Sequence, residues 1–205
     1  MKTSRLGNLL SSLIDLIWAG LLCLFCSLPF FTAGASVTAL YYTIVKSIRH
    51  DRGRVSSCFF HSFRTNFQQA TLIWLLCLLY ILVGIGDAYA FSRMGVREGN
   101  LLYYLSRLFF LPVPLLIPWL FAFLSRFENT IGNIFRYAFY LSIRHFGITL
   151  LLGAELTALI LICWMLPIFI PLLPGPFCML MSLHIEPVFR KMTATSSSDD
   201  SWYNE

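Results

Sequence analysis

Four long apolar stretches constrain the fold of this chain more than any other feature of its sequence. They cover residues 9–31, 69–91, 101–124 and 146–170. Each can cross a hydrocarbon core of about 30 Å as a helix, which takes about 20 residues. None of them alternates apolar and polar residues as a barrel strand would. Because 58% of the 205 residues are hydrophobic and only 12% are charged, the sequence predicts an all-α, polytopic helical membrane bundle.

Two shorter apolar segments, 35–48 and 172–188, decide how often the chain crosses the membrane. If both cross there are about six spans, and if one is re-entrant there are five. Basic residues stay preferentially on the cytoplasmic side of short loops. Of the 15 Lys and Arg residues, six spans leave only three on the outer side: Arg93, Arg97 and Arg107. The sequence therefore predicts a multi-pass protein of the cell membrane with both termini in the cytoplasm.

The segment 28–54 is predicted to be a turn followed by a short returning helix. Its Ala-Gly-Ala at 33–35 also matches the cleavage site of a secretory signal, but the preceding apolar run is longer than the roughly 7–15 residues of a signal. Pro29 and Gly34 are expected to break the first helix. The following segment, 35–48, covers only about 21 Å as a helix. It is therefore expected to be tilted, lined by protein, or re-entrant.

The end of the chain differs in composition from the rest. Residues 193–205 are rich in Ser and Asp and contain no apolar run. Such a segment cannot bury enough apolar surface to offset the entropy that it loses on folding. We predict a membrane domain over 1–192 and a disordered polar tail over 193–205.

Two segments between the apolar stretches have the pattern of cytoplasmic amphipathic helices. In VSSCFFHSFRTNF, the expected apolar face consists of Phe59, Phe60, Phe63 and Phe67. In NTIGNIFRYAFYLSIRHF, it consists of Ile131, Phe135, Phe139 and Phe146. Basic residues in both segments would face anionic lipid or a partner protein. The candidate contact residues are Phe59, Phe63, Arg64, Phe67 and Arg136.

One carboxylate, Glu155, lies deeper in an apolar stretch than the other acidic residues. It stands about nine residues, and so about 13 Å, inside the stretch 146–170. This depth makes it a candidate intramembrane polar site. It would be either a proton or cation site of a transporter or a hydrogen-bonded structural residue. Glu186 is expected to pair with Arg190 one helical turn later.

A series of short motifs runs through most of residues 5–191. It comprises Pro29, Thr32, Gly34-Ala35-Ser36, Ala39-Leu40-Tyr41-Tyr42, Lys46, Phe59-Phe60, Phe63, Asn66-Phe67, Gln69, Arg126-Phe127-Glu128-Asn129, Pro174-Gly175 and Phe189-Arg190-Lys191. These motifs resemble those of the bacterial YesL family of integral membrane proteins of unknown function. The resemblance implies a small membrane protein that is often encoded beside carbohydrate-uptake transporters. It brings no catalytic residues that could be assigned to this chain.

The sequence contains no motif that predicts catalysis, a cofactor or a metal site. Cys23 and Cys26 form a C-x-x-C, but burial in an apolar helix disfavours the thiolate, so packing is the favoured interpretation. The four histidines lack metal-ligand spacing, and there is no phosphate-binding loop or nucleophile elbow. We therefore expect a protein without enzymatic activity. Its basic clusters border membrane spans, which favours lipid headgroups over nucleic acid as partners.

Three functions are considered. The favoured one is a non-enzymatic accessory or assembly component of a carbohydrate-uptake system, with membrane lipids and carbohydrate-transporter subunits as partners. The alternative is a small secondary transporter that uses Glu155. A membrane thiol enzyme, which would rest on the cysteine pair alone, has the weakest support.

Overall fold

The computed structural model describes residues 5–50, 52–93 and 101–193. Over these residues the chain is all-α and contains no strand, as the sequence predicts. Its helices are α1 (Arg5–Cys26), α2 (Ala33–Thr43), α3 (Val55–Arg93), α4 (Leu101–Phe110), α5 (Pro112–Arg126), α6 (Ile131–Arg144), α7 (Phe146–Met165) and α8 (Pro174–Thr193). A π-helical turn, Ile44–Arg49, extends α2. Of the polar tail predicted over 193–205, Thr193 is the last residue of α8, and the rest lies outside the described residues.

Three helical stretches among the described residues are long and apolar enough to cross a membrane. They are Val55–Arg93, Leu101–Arg126, which combines α4 and α5, and Phe146–Met165. The described apolar part of α1, Ser11–Cys26, is shorter. These stretches support a helical membrane bundle. Crossings by α1, α2 and α8, which the six-span topology requires, stay a prediction.

α2 is the central helix of the bundle. From Gly34 to Thr43, every residue except Val37 is buried, and the helix packs against α1, α3, α5 and α8. Its polar side chains need no solvent, because each hydroxyl of Ser36, Thr38 and Thr43 donates to the carbonyl oxygen four residues earlier. A helix buried on nearly all sides confirms the expectation that this short segment is lined by protein.

The predicted hairpin between α1 and α2 is present. After α1 ends at Cys26, the Thr32 hydroxyl closes the turn, because it lies 2.5 Å from the Cys26 carbonyl oxygen and 2.6 Å from that of Pro29 and can donate its one proton to either. Gly34 does not break a helix, so the prediction is wrong at this residue. It lies inside α2, where a Cβ would stand 2.6 Å from the Cβ of Trp74. This glycine therefore allows α2 and α3 to approach each other closely.

Residues 166–173, which include Pro167 and Pro171, separate α7 from α8 and contain a 3-10 turn at Pro167–Phe169. α8 then crosses α1 at short distance. A Cβ on Gly175 would collide with the Leu16 carbonyl oxygen, and a Cβ on Gly20 would stand 3.0 Å from the Gly175 nitrogen. Small residues thus allow the two backbones to touch, as at many interfaces between membrane helices.

The first predicted amphipathic helix is not a separate element. Residues 55–67 are the start of α3, which continues for 39 residues to Arg93. The sequence after Phe67, Gln-Gln-Ala-Thr, contains no glycine or proline that would end a helix. Phe59 is fully buried, whereas Phe60 is 43% exposed. The four phenylalanines therefore do not share one face, since adjacent residues of a helix point in different directions.

The second predicted amphipathic helix is confirmed as α6, although its buried face differs from the predicted one. The buried residues are Ile134, Ala138 and Leu141, spaced by four and three residues. Phe139 and Phe146 are 54% and 58% exposed. The buried face was predicted from the positions of the largest aromatic side chains, whereas smaller residues form the face that packs on α5 and α7.

Candidate functional site

A buried ion pair joins the last residue of α5 to α8. Arg126 Nη1 donates to Glu186 Oε2, and each side chain is only 2% exposed. The Tyr41 hydroxyl of α2 donates to the other carboxylate oxygen, Oε1, at 3.2 Å. The expected pairing of Glu186 with Arg190 is wrong, because its ion pair reaches a residue 60 positions away in sequence. One carboxylate therefore connects three helices.

Aromatic rings enclose the ion pair on the Arg126 side. The guanidinium carbon lies 5.9 Å from the centroid of the Phe127 ring and 5.7 Å from that of Phe189. In such surroundings the two charges attract each other strongly, but both have lost their hydration. Removing one partner of a buried pair typically costs about 3–5 kcal/mol, because the other charge is left uncompensated. The arrangement favours a role in holding the helices together.

Basic side chains gather around the π-helical turn at the end of α2. Lys46 is only 8% exposed, and its ammonium group donates to the Tyr42 hydroxyl at 2.7 Å. Arg49 Nη1 donates to the Ser182 carbonyl oxygen of α8 at 2.8 Å. Burial, followed by the charges of neighbouring arginines, lowers the pKa of His50. This end of the bundle therefore concentrates positive charge close to the core.

Glu155 lies within α7 and is paired with a histidine. Its Oε1 atom is 3.2 Å from His184 Nδ1 of α8, and the two side chains are 12% and 33% exposed. The sequence predicts a polar site at Glu155 but not its partner His184, since no spacing relates residues of two different helices. The pair joins α7 to α8, while Glu155 Oε2 and His184 Nδ1 are buried without a hydrogen-bond partner among the described residues.

An apolar cavity of about 350 Å³ lies between α2 and α7, and α1, α3, α5 and α8 complete its wall. Tyr41 contributes to the wall, but its hydroxyl is engaged by Glu186. The indole N–H of Trp74, another wall residue, donates to the Phe30 carbonyl oxygen at 2.9 Å. The other wall side chains are hydrocarbon or contain sulfur. The cavity thus has almost no capacity to bind a polar group.

The contact residues predicted in the first segment divide between the core and the surface. Phe59 is fully buried, and Phe63 and Phe67 are partly buried in a row of rings with centroids 6.2 and 5.4 Å apart. Arg64 is exposed and lines a shallow recess near the start of α3. We call the residues of this recess the α3 surface: Ser56, Ser57, Phe60, His61, Arg64 and Thr65.

Arg136 is exposed on α6, beside two tyrosines that the sequence analysis did not select. A shallow recess, the α6 surface, is lined by Asn133, Arg136, Tyr137 and Tyr140. Their spacing of three, four and seven residues places them on one helix face, which is the signal that could have found the tyrosines. The Tyr137 ring stacks on Phe123 of α5 with centroids 5.3 Å apart. This surface therefore combines a positioned aromatic ring with an exposed guanidinium group.

The cysteines do not form a recognisable reaction centre among the residues described. All six are free thiols, including Cys23 and Cys26 of the C-x-x-C. Cys23 and Cys178 both contribute to the cavity wall. Within the described ranges, no group of three or more His, Cys, Asp or Glu residues is arranged to hold a metal ion.

Comparison with known proteins supports the resemblance at the level of a broad family. No curated protein and no solved structure matches the chain at a significant level. The N-terminal motifs fall in the part of the chain that a family model recognises. Residues 12–87, which include most of α1, all of α2 and most of α3, match the family described as "Protein of unknown function, DUF624", to which YesL proteins belong.

Proposed function

We propose that this chain is a non-enzymatic accessory or assembly component of a carbohydrate-uptake system in the cell membrane. In this role it contacts a transporter subunit through the α3 and α6 surfaces, at the cytoplasmic face, and does not itself carry the sugar. The class of partner comes from the resemblance to the YesL family. The matched family, being of unknown function, has no activity to transfer to this chain.

The composition of the α6 surface is the observation that carries this proposal. Arginine and tyrosine contribute strongly to binding when a partner buries them. The ring of Tyr137 is already positioned by Phe123, so little side-chain freedom is lost on association. α6 contains Arg136 and Arg144 and no acidic residue, so acidic side chains on the partner would complement it.

The interior of the bundle supports the same proposal. The Glu186 carboxylate is engaged by Arg126 and Tyr41, and the cavity beside it is apolar. A sugar entering that cavity would lose water from its hydroxyl groups without gaining hydrogen bonds in return. The interior is therefore better suited to a scaffold than to a sugar pathway.

Co-purification tests this proposal. Mild-detergent extraction of the tagged chain should bring down a carbohydrate-transporter subunit that mass spectrometry identifies. Combining Arg136→Ala with Tyr140→Ala should remove that subunit, with the amount of membrane-inserted chain unchanged. Phe139→Ala combined with Ile143→Ala is the matched control, because both side chains are exposed on α6 but lie outside the α6 surface. A wild-type chain without such a subunit, or full retention by the first double variant, would contradict the proposal.

A small secondary transporter is the second candidate function, and the Glu155–His184 pair is the observation that favours it. The pair connects α7 and α8, and a carboxylate beside an imidazole can exchange a proton. Reconstituted chain should then show sugar-dependent proton flux that Glu155→Gln abolishes. The amide keeps hydrogen-bonding capacity without a buried charge, so we expect this variant to insert normally. Absence of flux in the wild type, or equal flux in the variant, would remove this candidate.

A further inference from the structure

The apolar cavity is a feature that neither the ion pairs nor the exposed surfaces use. α7 forms its outer side with Leu156, Leu159 and Ile160, which share one helix face. Val37 and Leu40 of α2 contribute to its inner side. Because α7 is long and apolar enough to cross a membrane, the cavity lies in the membrane-spanning part of the bundle.

Val37 indicates that the cavity opens to the outside of the protein. It is 40% exposed, whereas its neighbours Ser36 and Thr38 are fully buried. Ile160, which contributes to the wall from α7, is 60% exposed. The cavity is not fully enclosed, and these two exposed wall residues mark its opening to the protein surface. Around membrane-spanning helices, that surface is surrounded by lipid hydrocarbon.

The chemistry of the wall favours a hydrocarbon as the occupant. The Tyr41 hydroxyl and the Trp74 N–H already donate to protein oxygens. This leaves the thiols of Cys23 and Cys178 as weak donors. A hydroxylated or charged ligand would lose its hydration without adequate replacement. An alkyl chain loses no hydrogen bond there and gains dispersion contacts with the wall.

The volume limits how much of a lipid can enter. A cavity of about 350 Å³ is near the lower end of the range for ligand pockets. If each methylene group needs about as much space as a water molecule, about 30 Å³, it holds on the order of ten of them. That is enough for most of one acyl chain and leaves no room for a second chain or a headgroup.

We infer that the cavity binds one acyl chain of a membrane phospholipid. The chain enters between α2 and α7, past Val37 and Ile160, and the headgroup stays outside the bundle. This inference does not depend on the proposed accessory function, because it concerns the lipid-facing side of the bundle rather than the α3 and α6 surfaces.

Photolabelling in a defined bilayer tests the inference. The full chain is placed in nanodiscs of phosphatidylglycerol and phosphatidylcholine that include phosphatidylcholine with a diazirine in one acyl chain. After irradiation, mass spectrometry locates the adducts. We expect adducts on Leu40, which is 3% exposed and lines the cavity, as well as on Leu79, which is 60% exposed on α3. An adduct at Leu40 requires that the labelled chain has entered the cavity.

Substitutions at the opening of the cavity distinguish entry of an acyl chain from ordinary contact between lipid and the outer surface of the protein. Val37→Trp should cause loss of the Leu40 adduct while the Leu79 adduct persists, because a larger side chain narrows the opening. Ile160→Trp narrows the opening from α7, on the opposite side. This variant replaces Val37→Trp in the experiment if Val37→Trp does not insert into the bilayer. Leu79→Trp is the matched control and should keep the Leu40 adduct. Labelling of Leu79 without Leu40 in the wild type, or an undiminished Leu40 adduct in the blocking variants, would overturn the inference.

Discussion

Arg126 and Glu186 form an ion pair in which each side chain is only 2% exposed, although 60 positions separate them in sequence. The pair connects α5 to α8, and Tyr41 adds the central helix α2 through the second carboxylate oxygen. The arrangement of the bundle therefore depends on polar contacts between distant parts of the chain as well as on apolar packing.

Removing the Glu186 carboxylate should destabilise the protein strongly. We expect Glu186→Ala to cost about 3–5 kcal/mol, because the Arg126 guanidinium would remain buried without its counter-charge. Thermal unfolding of the detergent-solubilised chain, followed by tryptophan fluorescence, measures the effect. Glu128→Ala is the matched control, since Glu128 is exposed just after α5. Combining Arg126→Met with Glu186→Leu should recover much of the lost stability, because no buried charge then remains. Equal stability of Glu186→Ala and the wild type would contradict this account.

Two glycines should respond differently to the same substitution. A Cβ at Gly34 would stand 2.6 Å from Trp74 Cβ and 2.7 Å from the Ala70 carbonyl oxygen, whereas one at Gly132 would meet nothing within 4 Å. Gly34→Ala should therefore lower stability by about 1–3 kcal/mol. Gly132→Ala, in α6, should be neutral or stabilise by up to about 1 kcal/mol. Comparable unfolding midpoints for the two variants would show that the close approach of α2 and α3 is not required.

Stability should decrease in mild acid because of two histidines at helix ends. Burial first, then neighbouring positive charges, lower the pKa of His50 and of His145 below the ordinary value of about 6.5. Each histidine therefore binds a proton more readily in the unfolded chain than in the folded protein. The contribution of these neutral histidines to the free energy of unfolding is complete above about pH 6.5. It is lost as the pH falls through that value toward the lowered pKa of the folded state.

Unfolding midpoints across this pH range provide the measurement. Other titratable groups also contribute, so the wild type is compared with a variant that carries both His50→Asn and His145→Asn. The double variant should lose less stability than the wild type between about pH 7.5 and about pH 5.5. An identical loss in the two proteins would contradict the assignment of the effect to these histidines.

The sidedness of the first hairpin can be tested by cysteine labelling in cells, on a background without the native cysteines. Leu28→Cys, in the turn after α1 where the native side chain is 75% exposed, should react with an impermeant maleimide in intact cells. Arg54→Cys should react only after permeabilisation, because basic loops stay in the cytoplasm. Outside labelling at Arg54→Cys would contradict the topology.

Local signals in the sequence predicted the elements, but not all of their faces. The α1–α2 turn and the break between α7 and α8 follow from proline, whose effect is confined to its neighbours. The burial of Phe59 could not be predicted, because an apolar helix face packs equally well on lipid or on protein. The continuity of α3 was missed because the hydrophobic pattern changes along the helix while the backbone does not.

The candidate site was only partly predictable for a related reason. The exposed positions of Arg64 and Arg136 agree with a basic surface, since charge and helical spacing are local properties. The partners of Glu186 and Glu155 lie on other helices, and spacing along one helix carries no information about such contacts. The cavity arises from how six helices fit together, so no short motif encodes it.

Photo-crosslinking in living cells tests most directly whether the α6 surface contacts a transporter. A benzophenone amino acid replaces Asn133, which lies on the α6 surface beside Arg136, in one strain and Ile143, which is 61% exposed outside that surface, in another. We expect the probe at Asn133 to crosslink to a carbohydrate-transporter subunit and the probe at Ile143 not to. Crosslinks from Asn133 to lipid alone, or equal transporter crosslinks from both positions, would contradict the account.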